Sequence, residues 1–320
     1  MPRTHVIEPE RANLHGHFSR DLPPCLTIEP GDTVRFCTLD ARWNVDPRRA
    51  EPPGEDEPGF APRDKEKDAG HALCGPVAVR GALPGMTLEV AIEAIRAGRW
   101  GWTAAGGWDH PVNQRLGLLD SKTFLLWSLD PDANVARDQH GRQVALRPFM
   151  GVMGCAPDEP GVLSTAPPRA VGGNMDCKEL VAGSRLYLPV AVPGALFSVG
   201  DGHAAQGDGE SSVTAIECPM ERVDLTFHLV TDRPPLATPR AHTPAGWVTL
   251  GFHEDLNEAT YRALEAMLDL MTGTLYPGMT RGDALALASV AVDLRVTQIV
   301  NGVRGVHAVL PHGALTMPAD

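Results

Sequence analysis

Apolar and polar residues alternate with period two over several stretches of the chain. Leu88, Val90 and Ile92 interleave with Glu89 and Glu93, and Val223, Leu225, Phe227 and Leu229 interleave with Asp224, Thr226 and His228. Successive side chains on an extended backbone point to opposite faces, so this pattern predicts strands with one face turned inward. Pro30-Gly31-Asp32, Pro84-Gly85-Met86, Ala182-Gly183-Ser184 and Pro193-Gly194 supply turn chemistry between such runs. Helical spacing arrives late. Leu264, Met267, Leu268 and Met271 follow it within residues 256–271, and Leu285, Ala288, Val292, Val296 and Ile299 follow it from Asp283 onward, where Thr280 and Asp283 resemble a capping box. The expected fold is mainly β, in sandwich-like or barrel-like layers, with an α/β C-terminal part, α+β overall. A β-rich N-terminal part over residues 1–150 is expected to pack closely on a catalytic part over 151–320 that carries two C-terminal helices.

Residues 42–67 break the pattern, being rich in Pro, Glu, Asp and Arg with few large apolar side chains, and read as a mobile charged surface loop extending to about residue 70. With 320 residues the chain can bury a large core without staples. Its six cysteines are scattered without a Cys-x-x-Cys pair and read as reduced thiols. A net charge of −12 argues against nucleic acid or an anionic membrane as partner and favours a neutral or cationic small molecule. No apolar run is long enough to span a membrane, and the first residues lack the apolar centre of a signal peptide, so the cytoplasm is the expected location.

The chemistry concentrates between Gly200 and Glu210, where Gly-Asp-Gly-His-Ala-Ala-Gln-Gly-Asp-Gly-Glu packs three carboxylates, an imidazole and an amide among four glycines. If Ala204 to Gly207 is a hairpin tip, Asp201 and His203 share one face on the way out, and Asp208 and Glu210 share one on the way back. Four ligands then converge; oxygen with imidazole suits Zn²⁺, and oxygen alone suits Ca²⁺ or Mg²⁺. The same residue types are those that tight turns demand, so a solvated acidic loop stays open. No EF-hand, dinucleotide or phosphate-loop pattern is present.

Four stretches together carry a resemblance: Arg147-Pro148-Phe149-Met150-Gly151-Val152-Met153-Gly154 with Ala156-Pro157; Gly172-Gly173-Asn174-Met175-Asp176; Leu186-Tyr187-Leu188-Pro189-Val190; and the run from Val192 to Glu210. They resemble the acetamidase/formamidase family. Cys155 and Ser211-Ser212 depart from its usual pattern. The resemblance implies hydrolysis of short linear amides such as formamide or acetamide, a β-rich fold that tends to form homodimers, and a divalent metal, Zn²⁺ ahead of Ca²⁺, with a binuclear centre as an option. On that basis Asp176 and His203 are the leading ligands, Asp201, Asp208, Glu210 and Glu217 compete for the remaining ligand and base roles, and Glu210 is the favoured base. Asn174 and Gln206 offer amide dipoles to a substrate carbonyl, and Leu196 and Phe197 are expected to wall off longer amides. His71 and His110 stand second in rank, while His15 and His17 are explained as well by a surface strand. Two rival readings are a Cys177 nucleophile aided by Lys178 and Glu179, and a non-catalytic β protein whose acidic loop holds an ion to stiffen itself.

Overall fold

The structure, a computed structural model, describes residues 1–47, 59–231 and 234–316. Within them the strands form three sheets. The largest has nine strands in the order Thr4–Ile7, Thr33–Thr38, Met220–Val230, Thr87–Ala97, Arg185–Pro189, Arg240–Thr243, Gly246–His253, Val303–Pro311 and Asp293–Asn301. A second runs Gly172–Asn174, Phe149–Gly154, Phe197–His203, Leu73–Val79 and Leu14–His15, with Leu26–Ile28 added in parallel to Leu73–Val79. The third holds Gln143–Ala145, Val135–Asp138, Thr123–Asp130 and Trp100–Ala105. Strands from before and after residue 150 lie side by side within both larger sheets, so the two parts of the chain share layers.

The two alternating stretches pair with each other. Val223 faces Ile95 and Phe227 faces Val90 across an antiparallel ladder. Leu88, Val90, Ile92, Val223, Leu225 and Phe227 are each at most 1% exposed, and burying each such side chain contributes about 1.5–3 kcal/mol. Phe227 meets Phe197 of the second sheet edge to face with ring centroids 5.1 Å apart, which puts the two sheets face to face around one core. The turn glycines Gly31, Gly85, Gly183 and Gly194 all take positive φ, the conformation that the Pro-Gly signals demand.

Helix Leu256–Leu270 starts at Asp255, whose carboxylate accepts from the Glu258 N–H at 3.0 Å, and lies on strand Gly246–His253. The approach is closest at Gly251, where a Cβ would come within 2.2 Å of the Ala259 carbonyl. Helix Arg281–Ala291 is capped by Thr280, which bonds both the backbone N–H and the carboxylate of Asp283. It then stops, contrary to the helical spacing expected to run on to Ile299. Val296 and Ile299 belong instead to strand Asp293–Asn301, which turns at Asn301-Gly302 into Val303–Pro311. Val292, Val296, Thr297, Ile299 and Val300 are β-branched, and Gly302 has φ of 82°; strand propensity and an Asn-Gly turn outweigh a few apolar coincidences at i+3 and i+4.

Of the loop expected over residues 42–67, residues 48–58 lie outside the described residues. Its described flank is anchored: Trp43 is 1% exposed, donates from its indole to the Gly70 carbonyl at 2.8 Å, and carries the Arg63 guanidinium 4.7 Å above its ring. His15 and His17, expected on a surface strand, are both buried. Among the described residues no helix is long and apolar enough to cross a membrane.

Candidate active site

Strand Phe197–His203 ends beneath the site and delivers Asp201 and His203. Beside it, strand Phe149–Gly154 pairs with both Phe197–His203 and Gly172–Asn174, and the chain leaving the latter delivers Asp176. Glu217 bridges His203 on one side and Trp102 on the other, joining the second and third sheets. Glu210 sits on the connecting loop, which the Gly209 N–H to Thr297 carbonyl bond and the Ile299 N–H to Gly209 carbonyl bond pin to the edge of the nine-stranded sheet. All three sheets therefore contribute to one cluster.

Two overlapping groups result, Asp176 with His203 and Glu210, and Asp201 with His203 and Glu217, each with its ligand atoms within 4.8 Å of one another. The His203 Nε2 lies 3.3 Å from both Asp201 Oδ1 and Glu217 Oε2, and Nδ1 lies 4.0 Å from Asp176 Oδ1. The ring is fully buried, with the Phe149 ring against it edge to face. Asp176 Oδ1, Glu217 Oε2 and both ring nitrogens of His203 are buried yet make no hydrogen bond, a condition that costs about 1–3 kcal/mol per group when nothing else satisfies it. Gly151 completes the cradle: a Cβ there would lie 2.5 Å from Asp201 Oδ2, 2.8 Å from Asp176 Oδ1 and 2.8 Å from His203 Cε1. Asp176, Asp201 and Glu210 all hold positive φ, at 52°, 58° and 45°. Non-glycine residues in that region store strain, and such residues cluster where a function over-determines the backbone.

Electrostatics make the cluster unstable as bare charges. Two carboxylates 4 Å apart repel by about 4 kcal/mol at an effective dielectric of 20. Burial pushes Asp176, Glu210 and Glu217 above the usual carboxylate range, and the mutual repulsion of the acids adds to it. Burial opposes charge on Asp201 too, but His203 and His71 outweigh it and hold that carboxyl low. The same burial opposes a charged His203, and Glu217 and Asp201 overcome it and raise the ring well above its ordinary value. Oxygen donors around an imidazole, with unpaired atoms aimed inward and surplus negative charge, fit a divalent cation.

Residues 3–162 and 159–315 match the acetamidase/formamidase family. The chain belongs to that family. It is 28% identical to the formamidase of Methylophilus methylotrophus over 62% of its own length and 59% of that protein's. Against the acetamidase of Mycolicibacterium smegmatis the identity is 27%, over 61% of each chain. The matched region thus spans about three fifths of the length of these curated relatives. The solved structure of an acetamidase from Bacillus halodurans superposes with a TM-score of 0.81 at 27% identity, covering 96% of this chain and 97% of that one.

Seen in this family member, the other residues singled out from sequence divide sharply. Asp208, expected beside Glu210, turns away and pairs with Lys178 at 2.8 Å. Residues 212–216, after Glu210, form no strand, and Glu217 rejoins the ladder opposite His203. Asn174 and Gln206 each donate one amide N–H to backbone, to the Ala166 and Asp176 carbonyls at 3.1 and 2.9 Å. His110 caps helix Pro111–Leu116. Cys177 is fully buried with its thiol pushed up to about 12 by desolvation. Lys178 is committed to Asp208, and Glu179 to Arg147 and Arg295, so the three do not form a nucleophilic triad. One participant escaped the sequence reading: Asn301 donates to Asp176 Oδ2 at 2.6 Å and to Glu210 Oε2 at 3.4 Å. Its only signal was Asn301-Gly302, which reads as a turn.

A cavity of about 1050 Å³ opens onto Asp201, Glu210 and Glu217 and is bounded by Trp102, Leu163 and Val300 among others. Leu196 and Phe197, expected as its walls, are packed in the core instead. That volume equals roughly thirty waters, far more than acetamide needs, so the walls alone do not exclude longer amides.

Proposed function

We propose that this protein hydrolyses short amides to carboxylate and ammonia at a divalent metal centre held by Asp201, His203 and Glu217 with Asp176, with Glu210 as general base. The observation that carries this reading is the set of buried, unpaired ligand atoms around His203. The names of the curated relatives, formamidase and acetamidase, support the substrate class. Zn²⁺ is favoured for its match to mixed nitrogen and oxygen donors; Ca²⁺ and a binuclear arrangement sharing His203 are the alternatives.

An amide carbon is a poor electrophile and its nitrogen a poor leaving group, so the site must polarise oxygen, supply hydroxide and protonate nitrogen. A divalent ion supplies a Lewis acid and lowers the pKa of water to about 7. Glu210 has the geometry of a proton carrier: it lines the cavity, its carboxyl is raised by burial, and Asn301 steadies one oxygen. A raised carboxyl takes a proton from the attacking water and returns it to the leaving nitrogen near neutral pH. Burial beneath the cavity floor keeps Asp201, His203 and Glu217 from re-solvating during the cycle.

The deciding experiment measures ammonia release from formamide, acetamide, propionamide, longer linear amides, urea and a small lactam, alongside metal analysis before and after chelation. Turnover that disappears with the metal and returns on re-addition is the expected result. Full metal occupancy without turnover of any amide would leave the ion a structural part of the loop.

A further inference from the structure

Amide hydrolysis needs a donor for the carbonyl oxygen, and the N–H-bearing side chains that line the cavity beside the acids include Arg42, Asn174, Asn301, His17 and His71. His71 stands two residues ahead of Leu73, which pairs with Gly200, so the chain carries its ring past Asp201 and into the cavity wall. Its Nδ1 lies 2.8 Å from the Thr165 hydroxyl, and the same hydroxyl receives the His71 backbone N–H at 3.0 Å. Thr165 is fully buried. A backbone N–H can only donate, so one lone pair of the hydroxyl is taken, and its hydrogen has His71 Nδ1 as its one acceptor among the described residues. A hydroxyl that received both N–H groups would leave its own hydrogen orphaned in the interior, which is the costlier arrangement. The proton of the ring therefore sits on Nε2, which has no hydrogen-bond partner among the described residues. Desolvation holds the ring below its ordinary pKa.

The contrast with His17, which lines the same cavity, sharpens the point. His17 Nδ1 faces the Lys67 carbonyl at 2.8 Å, an oxygen that can only accept, so His17 carries its proton on Nδ1 and turns a lone pair outward. Asn301 directs its amide N–H groups to Asp176 and Glu210, and Asn174 gives one of its two to the Ala166 carbonyl. We infer that His71 is a catalytic residue whose Nε2–H donates to the substrate carbonyl oxygen as negative charge develops there, with Thr165 as the positioning residue that fixes the tautomer. This rests on the amidase reading above and names how the site holds its substrate's oxygen.

Loss of one such preorganised donor lowers kcat by about 10²–10³. His71→Ala in the metal-loaded enzyme is expected to do so with metal content and thermal midpoint unchanged, and His71→Gln, whose amide N–H reaches a similar position, is expected to recover about tenfold or more of the loss. Thr165→Val lowers kcat about tenfold, and Thr165→Ser, which keeps the hydroxyl, restores it. ¹⁵N spectra of histidine-labelled protein read the tautomer directly: an Nε2–H pattern for His71 in the parent and its loss in Thr165→Val are expected. An Nδ1–H pattern in the parent, or kcat for His71→Ala within threefold of the parent at full metal content, overturns the inference while leaving the amidase reading intact. A parent enzyme that turns over no amide sinks that reading and takes this substrate contact with it.

Discussion

At the scale of single residues, the site is a contest between desolvation and like charge that protons or a cation must settle. Glu210→Gln keeps the side chain's shape but removes its capacity to accept a proton; kcat is expected to fall about 10²–10⁴-fold with metal retained, as read by turnover and metal analysis. Unchanged turnover would remove Glu210 from the mechanism. A second prediction concerns His15. Its Nδ1 donates to the His17 carbonyl at 2.7 Å, which leaves Nε2 to accept from the Ser198 hydroxyl at 3.0 Å. Burial depresses the ring to about 4. The unfolded chain takes up this proton below about 6.5, whereas the folded chain refuses it until about 4. Stability from this group is therefore whole above pH 6.5 and lost as the pH falls toward 4, at a slope of up to about 1.4 kcal/mol per pH unit. His15→Gln is expected to flatten that limb in denaturant midpoints recorded against pH; an unaltered limb would assign it to other groups. What the sequence revealed at this scale was residue type. Asp201, His203 and Glu210 stood out because a short run of glycine and acid is poor core material, whereas Asp176 and Glu217 were singled out only on the basis of the family motif. Asp208 was not, because alternation cannot register the positive φ at Glu210 that turns the two acids apart, nor the ion pair to Lys178.

At the scale of elements, the site depends on how closely strands approach. Gly151 lies under the ligands on strand Phe149–Gly154, and its φ is one that alanine can adopt, since it is not among the positive-φ glycines. The three nearest atoms that a methyl group would meet all belong to the cluster, at 2.5–2.8 Å. Gly151→Ala is thus expected to leave the fold intact by circular dichroism while weakening metal binding by about tenfold to a hundredfold, the range seen when a ligand's support is disturbed. Parent-like affinity in a metal titration would mean that the ligands shift without consequence. Strands were readable where one face is buried and the other wet, as in Thr87–Ala97 and Met220–Val230. Strand Phe149–Gly154 is buried at every position, so alternation has nothing to report there, and only the family motif marked it. Strand Asp293–Asn301 was misread as helix as far as Ile299 for a related reason: apolar residues on a half-covered strand fall at helical intervals often enough to mimic one. The error mattered, because Asn301 at its turn reaches Asp176 and Glu210.

At the scale of the whole molecule, three sheets converge on one acidic centre, so the cation proposed for it should couple its binding to global stability. Asp176, Glu210 and Glu217 have raised pKa values in the metal-free chain, so near neutral pH the site retains protons that a cation must displace. Metal affinity should rise with pH across the range in which those protons leave, and binding should release them into the buffer. Calorimetric titration of Zn²⁺ in buffers of different ionisation enthalpy measures that release directly. The expected result is at least one proton freed per ion near pH 7 and fewer at higher pH, together with a thermal midpoint that climbs with free metal. At a hundredfold excess over Kd the linkage amounts to about 2.7 kcal/mol, which is several degrees for a chain of this size. Because Glu217 ties the second sheet to the third and the Glu210 loop is tied to the first, the stabilisation should appear in one cooperative transition. A local transition that leaves the main unfolding event unmoved would show that the cluster is an appendage of the loop. Binding without proton release would show instead that the four carboxylates stand ionised in the empty site, and the charge balance argued for this centre would fail.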